Sequence, residues 1–286
     1  MFDFIGRHLS SQFIDNPIFI IGGSRSGTIA LLKALGKHKN ILAAPTEDPF
    51  MTDVGRMALN LEFFSNHERQ YYLRTLRIPF EYISDALRRL ALESAFGLHY
   101  GFRQYIKYVL KDRMNVLAKY HWCTKTFPGR ETADGLLKLF PNAKFVWILR
   151  NGVSVVHSRT KFPEFRDLSF EAHCIHWAES IKRFSYLSEI PQATTVRQEE
   201  FAGDPDVVFR RIFSHVGLEY DNRPTAFSLT HHVHPLSDES TTKGVDVKQV
   251  LSERPPAYTE WNDEWKSIFK NVCGEAMNIA GYEIEF

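Results

Sequence analysis

The segment that most constrains this chain lies near its start, where a buried apolar run stops at two glycines and a helical pattern follows. Pro17, Ile18, Phe19, Ile20 and Ile21 form a short continuous apolar run, the pattern of a strand covered on both faces. Gly22, Gly23, Ser24, Arg25, Ser26, Gly27 and Thr28 follow, and from Ser26 onward Ile29, Leu32 and Leu35 recur at three-residue spacing up to Gly36. A glycine-rich turn between a parallel strand and a helix leaves backbone N–H groups and the positive end of the helix dipole pointing at one spot. That spot suits an anion. Arg25 adds a fixed charge and a planar donor fork, and Ser26 and Thr28 add hydroxyls.

The remaining pattern extends this unit into an α/β sheet. Residues 41–44 read as a second strand, 120–124 and 144–149 as firm strands, and 194–197 as a weaker one. Helical patterns occupy about 153–161, 170–189, 206–216 and 263–280. Strands alternating with helices predict a three-layer α/β fold, a parallel sheet flanked by helices. Residues 52–118 mix apolar, aromatic and charged side chains at helical spacing and are expected to be a helical insertion, either a wall for a ligand or a packing subdomain. The whole of 1–286 is read as a single domain.

Composition narrows the function classes. With Lys plus Arg at 35 against Asp plus Glu at 34, the chain has no global positive field for nucleic acid, so an anion site must be local. Cys123, Cys174 and Cys273 are odd in number and far apart, which argues against a disulfide framework or a zinc site. Residues 1–12 hold no long apolar run, and residues 18–21 are too short to span a bilayer. The expectation is a cytoplasmic chain with no membrane span.

The phosphate loop itself excludes one chemistry. Gly22 and Gly27 keep the spacing of a nucleotidase P-loop, but Thr28 stands where that loop has its Lys. No acidic residue is expected to end a strand where magnesium would need one. The loop therefore reads as phosphate-binding without ATP hydrolysis. Downstream, Arg150 ends the strongest strand, and Ser158 lies eight positions later, two turns along the next helical pattern.

Taken together, Gly22-x-x-Arg25-Ser26-Gly27-Thr28 resembles the 5′-phosphosulfate loop of sulfotransferases that use 3′-phosphoadenosine-5′-phosphosulfate (PAPS). The family's usual Pro is Ser24 here. Arg150 and Ser158 resemble the same family's 3′-phosphate motif. Glu199, Glu200 and Phe201 with Asp204-Pro205 and Gly217-Leu218 are similar to a further segment, and Lys243-Gly244 resembles the C-terminal loop that closes over the 3′-phosphate. The resemblance runs over residues 17–281 apart from the insertion. It implies a P-loop-like sulfotransferase fold, PAPS as co-substrate, no metal, and a nucleotide site made of Gly23, Ser24, Arg25, Ser26, Gly27, Thr28, Ile29, Arg150, Ser158, Lys243 and Gly244.

The resemblance also sets the catalytic expectation. Lys125-Thr126 is followed by Phe127, where the small-molecule sulfotransferases have their catalytic His. Residues 43–50 instead resemble the active-site segment of glycosaminoglycan 3-O-sulfotransferases, which places Glu47 as general base, 22 residues beyond Arg25. Lys125 and Arg25 are then the clamps on the sulfuryl and leaving groups, and a cationic neighbour such as Lys125 would keep Glu47 ionised. Asp48 is the nearest rival, with His121, His157, His173 and His176 behind it, the last two read as helix-packing residues. The acceptor is expected to be a small-molecule or carbohydrate hydroxyl, or an amine. A small-metabolite kinase and a catalytically silent nucleotide-binding module are the competing classes.

Overall fold

The computed structural model of the protein describes residues 14–66, 80–96, 120–233, 241–243 and 257–286. In chain order these form β1 (Pro17–Ile21), α1 (Thr28–Leu35), β2 (Ile41–Glu47), α2 (Phe50–Asn66), α3 (Phe80–Phe96), β3 (His121–Lys125), α4 (Arg130–Leu139) and β4 (Lys144–Leu149). Then come α5 (Gly152–Thr160), α6 (Phe170–Phe184), β5 (Ala193–Arg197), α7 (Gln198–Gly203), α8 (Pro205–Val216), α9 (Arg223–Thr230), β6 (His231–Val233), β7 (Thr241–Lys243) and α10 (Asp263–Ala280). Strands β1 to β5 form one parallel sheet in the order β2-β3-β1-β4-β5, flanked by helices. The α/β expectation holds. A two-stranded antiparallel ribbon, β6 with β7, was not expected from the sequence.

Packing divides the chain into two compact units, Met1–Ile20 with Leu32–Phe145, and Ile21–Leu31 with Val146–Phe286. In the first, Phe19, Trp122, Phe140 and Phe145 form an aromatic core, with Phe19 5.7 Å from Trp122 and 5.5 Å from Phe145 between ring centres. The edge-on pair Phe19–Trp122 adds to simple burial. The insertion is represented by α2 and α3, while 67–79 and 97–119 lie outside the described residues. Helix α2 crosses α4 so closely that a Cβ on Gly135 would lie 2.0 Å from the Gly55 carbonyl oxygen. Only glycine allows that approach. The insertion therefore begins as a tightly packed helix rather than a loose flap.

In the second unit, α6 packs on α10 through Trp177 and Phe269, with Phe170 stacked on Trp265 at 4.3 Å. Cys123, Cys174 and Cys273 are buried, and no disulfide joins them. The helix expected over 170–189 ends at Phe184 and passes into a 3₁₀ turn, Ser185–Ser188. The Ser185 hydroxyl donates to the Lys182 carbonyl and that of Ser188 to the Ser185 carbonyl, the local competition that ends helices at serines. Among the described residues, no helix is long and apolar enough to cross a membrane.

Candidate functional site

The glycine-rich loop is built as its residue types require. Gly22 runs so close to β4 that a Cβ there would lie 2.7 Å from the Ile148 carbonyl oxygen. Gly27 takes φ +87°, the left-handed region that glycine enters without strain. Helix α1 opens at once, with the Leu31 amide donating to the Gly27 carbonyl, and the Ser26 and Thr28 hydroxyl residues are buried. Ile29 lies half-buried in the first turn of α1.

Arg25 breaks the rule that glycine follows. It holds φ +67°, the only non-glycine in the left-handed region among the described residues. Such a conformation costs on the order of 1 kcal/mol and persists where its surroundings hold it, often at functional sites. Three groups hold it here. Arg150, just past β4, donates from Nη1 to the Arg25 carbonyl at 2.8 Å. The Arg25 Nε donates to the Ser158 hydroxyl of α5 at 3.0 Å. The Phe162 ring lies 4.3 Å from the guanidinium carbon. Burial pushes the Arg25 pKa below the usual arginine value, partly opposed by Glu164. Arg25, Arg150 and Ser158, separated by up to 133 positions in the chain, thus meet in direct hydrogen bonds.

The turn from β4 into α5 is secured separately. Asn151 caps α5 by accepting from the Val153 amide at 2.9 Å. Its own amide donates to Glu199 of α7, whose other oxygen accepts from Tyr282 at 2.8 Å. The Glu199 segment therefore braces the Arg150 turn. Asp204 caps α8 and Gly217 ends it in the left-handed conformation, which accounts for those two motif positions by helix termination.

One residue of this region went unrecognised in the sequence. Arg159, beside Ser158, is 6% exposed and donates from Nη1 to the Ser24 hydroxyl. Its guanidinium lies 4.1 Å from the Phe165 ring. An Arg following the expected Ser was the available signal.

Glu47 and Lys125 belong to the first unit, at the ends of β2 and β3. Strand β2 was expected to stop at Ala44. It continues through Pro45 to Glu47 because the pairing shifts there: four positions separate Ala43 from Glu47, against two between their partners Cys123 and Lys125. Pro45 cannot donate to a ladder, and a bulge of this kind re-aims the side chain that follows it. Glu47 is thereby brought opposite Lys125, whose ammonium donates to its Oε2. The Lys125 side chain is 6% exposed and that of Glu47 46%. Glu47 is the last residue of β2. Lys125 is also in register with Ile20, and the Thr126 amide donates to the Ile20 carbonyl, directly before the loop begins.

The rival bases separate by environment. Asp48 is 1% exposed and accepts from the Ser94 hydroxyl of α3 at 2.9 Å, the setting of a structural carboxylate. His121 begins β3. His157 on α5 has its Nε2 3.5 Å from Glu260, and burial outweighs that carboxylate in lowering its pKa. His173 is buried in α6, and its pKa is lowered by burial and then by Arg159. His176 is exposed rather than packed. Lys243 ends β7 opposite His231. Gly244 lies outside the described residues. Among the described residues, no group of three or more His, Cys, Asp or Glu side chains is arranged to hold a metal ion.

The model of the sulfotransferase family matches residues 17–222. Comparison with curated protein sequences gives no match. Solved structures share the fold at low identity. The sulfotransferase domain from the curacin biosynthetic pathway is 15% identical, covering 93% of this chain and 98% of its own, with TM-score 0.51. Mouse sulfotransferase SULT7A1 complexed with PAP is 12% identical, covering 92% and 85%, with TM-score 0.50. Retinol dehydratase in complex with androsterone and the inactive cofactor PAP is 11% identical, covering 96% and 83%, with TM-score 0.50.

Proposed function

Because this chain belongs to the sulfotransferase family, we propose that residues 1–286 act as one catalytic domain that transfers a sulfuryl group from PAPS to an acceptor hydroxyl or amine. The observation that carries this reading is Arg25, held in a left-handed conformation by Arg150 and Ser158. The strain is useful if the loop is preorganised for an anion. The residues present fit a nucleotide bisphosphate: a glycine cradle at a helix N-terminus, arginine forks and buried hydroxyls. PAP in the SULT7A1 and retinol dehydratase structures supports the same ligand class for this chain.

In this reading the loop, residues 23–29, takes the 5′-phosphosulfate, and Arg150 and Ser158 take the 3′-phosphate, with Lys243 and Gly244 closing over it. Glu47 accepts the acceptor's proton as the acceptor oxygen or nitrogen bonds to sulfur. The bond from sulfur to the 5′-phosphate oxygen breaks, and adenosine 3′,5′-bisphosphate leaves. Arg25 and Lys125 stabilise the charge moving onto that leaving group. The half-exposed Glu47 carboxylate, against the buried Lys125 ammonium, supports the base assignment, as a base must reach an acceptor arriving from solvent. The likeness of residues 43–50 to glycosaminoglycan 3-O-sulfotransferases favours a carbohydrate or other aliphatic alcohol as acceptor, and a cytoplasmic setting completes the reading.

A calorimetric titration with adenosine 3′,5′-bisphosphate in EDTA tests it. Tight binding without divalent metal is expected. Binding that appears only with magnesium, or is stronger for ATP, would move the chain to the kinase class.

A further inference from the structure

Arg150 and Arg159 both bond to the loop that carries Arg25, and Arg159 has no role in the reading above. It stands in the last turn of α5 with 6% of its surface exposed. Nη1 donates to Ser24, and the Phe165 ring covers one face of the guanidinium. Its Nε is buried with no hydrogen-bond partner among the described residues. Burial lowers its pKa, and no described carboxylate offsets that effect. Arg25, by contrast, has Glu164 as a partial counter-charge. A buried cation without an anion is costly to a folded protein. Such a cost is kept where a ligand supplies the missing charge, since sites that bind well are often sites that destabilise the empty protein.

Ser24 gives the second observation. The family pattern described above has Pro here, which fixes φ and stiffens the loop. Ser24 lacks that constraint and is tied to α5 through its hydroxyl instead. One bond thus sets the position of the loop residue and of the arginine together.

We propose that Arg159 is a third anion-binding arginine of this site, positioned by Ser24 and Phe165, whose charge is neutralised by the 5′-phosphosulfate end of the nucleotide. The assignment rests on the nucleotide reading above. It differs from a packing role in one measurable respect: removing the guanidinium should weaken binding without weakening the empty protein.

The test uses the full chain and Arg159→Met, Arg159→Lys and Ser24→Ala. Titrations with adenosine 3′,5′-bisphosphate and adenosine 3′-monophosphate are combined with melting temperatures of the ligand-free proteins. Arg159→Met should keep or raise the ligand-free melting temperature and lose roughly 10- to 100-fold in affinity for the bisphosphate. Affinity for the 3′-monophosphate, which lacks the 5′-phosphate, should stay unchanged. Arg159→Lys should recover part of the loss, since it keeps the charge and loses the fork. Wild-type bisphosphate affinity in Arg159→Met, with a melting temperature lowered by several degrees, would make Arg159 a packing residue and overturn the proposal. Equal losses for both nucleotides would overturn the assignment to the 5′ end. Should Arg159→Met fail to fold, unchanged affinity in both Arg159→Lys and Ser24→Ala would overturn it equally. If the wild type binds no bisphosphate, the proposed function itself fails; if it binds and only the variants are indifferent, this proposal alone fails.

Discussion

Replacing Arg150 with Ala removes two things at once, and their sizes can be separated. One is the proposed charge-assisted contact to the 3′-phosphate, about 1.5–3 kcal/mol for a hydrogen bond to a charged group. The other is the 2.8 Å bond from Nη1 to the Arg25 carbonyl, which helps hold Arg25 at φ +67°. Its loss should cost about 1 kcal/mol through a loosened loop. The loop cost falls on any nucleotide with a 5′-phosphate, and the first cost only on those with a 3′-phosphate. Adenosine 3′,5′-bisphosphate should therefore weaken by about 2.5–4 kcal/mol and adenosine 5′-monophosphate by about 1 kcal/mol. Calorimetry with the two ligands on wild type and Arg150→Ala reads the difference directly. Equal losses would mean that Arg150 supports the loop and does not read the 3′-phosphate.

Glu47→Gln keeps the size of the side chain but cannot take a proton, so turnover should fall about 10²-fold or more with nucleotide affinity nearly unchanged. Near-wild-type turnover would remove Glu47 as base. Asp48→Asn should leave turnover close to wild type and lower the melting temperature instead, because Asp48 is buried against Ser94; a large rate loss at unchanged stability would reverse the two assignments. Burial pushes His157 and His173 below the ordinary imidazole pKa, so the unfolded chain takes up protons at a higher pH than the folded one. Stability should then fall as pH drops below about 6.5, and His173→Gln should flatten the slope of melting temperature against pH. A melting temperature that rises on acidification would contradict this.

The parts that could be read ahead were those whose signal is local. The run from Pro17 to Thr28 shows a strand, a turn and a helix start in a dozen positions, and the structure has all three. Glu47 was reached through a resemblance. Its geometry depends on the shifted pairing around Pro45, and no periodicity in the segment predicts that shift. Helix α4 went unseen because its start, Gly129, offers no side-chain cap, and its stabilising contact is the backbone crossing with Gly55. Arg159 was missed because its partner Ser24 lies 135 positions away, so the pair exists only after folding. His176 was read as core because helical spacing alone does not say which face of α6 meets a neighbour.

The central claim is sulfuryl transfer, and the most direct measurement follows labelled PAPS with a panel of carbohydrate, aliphatic, phenolic and amine acceptors in EDTA. Label should appear on at least one acceptor, with one adenosine 3′,5′-bisphosphate released for each sulfuryl group moved, and Glu47→Gln should suppress that transfer. Nucleotide binding of full strength with no label on any acceptor, or phosphoryl transfer from ATP that needs magnesium, would contradict the claim.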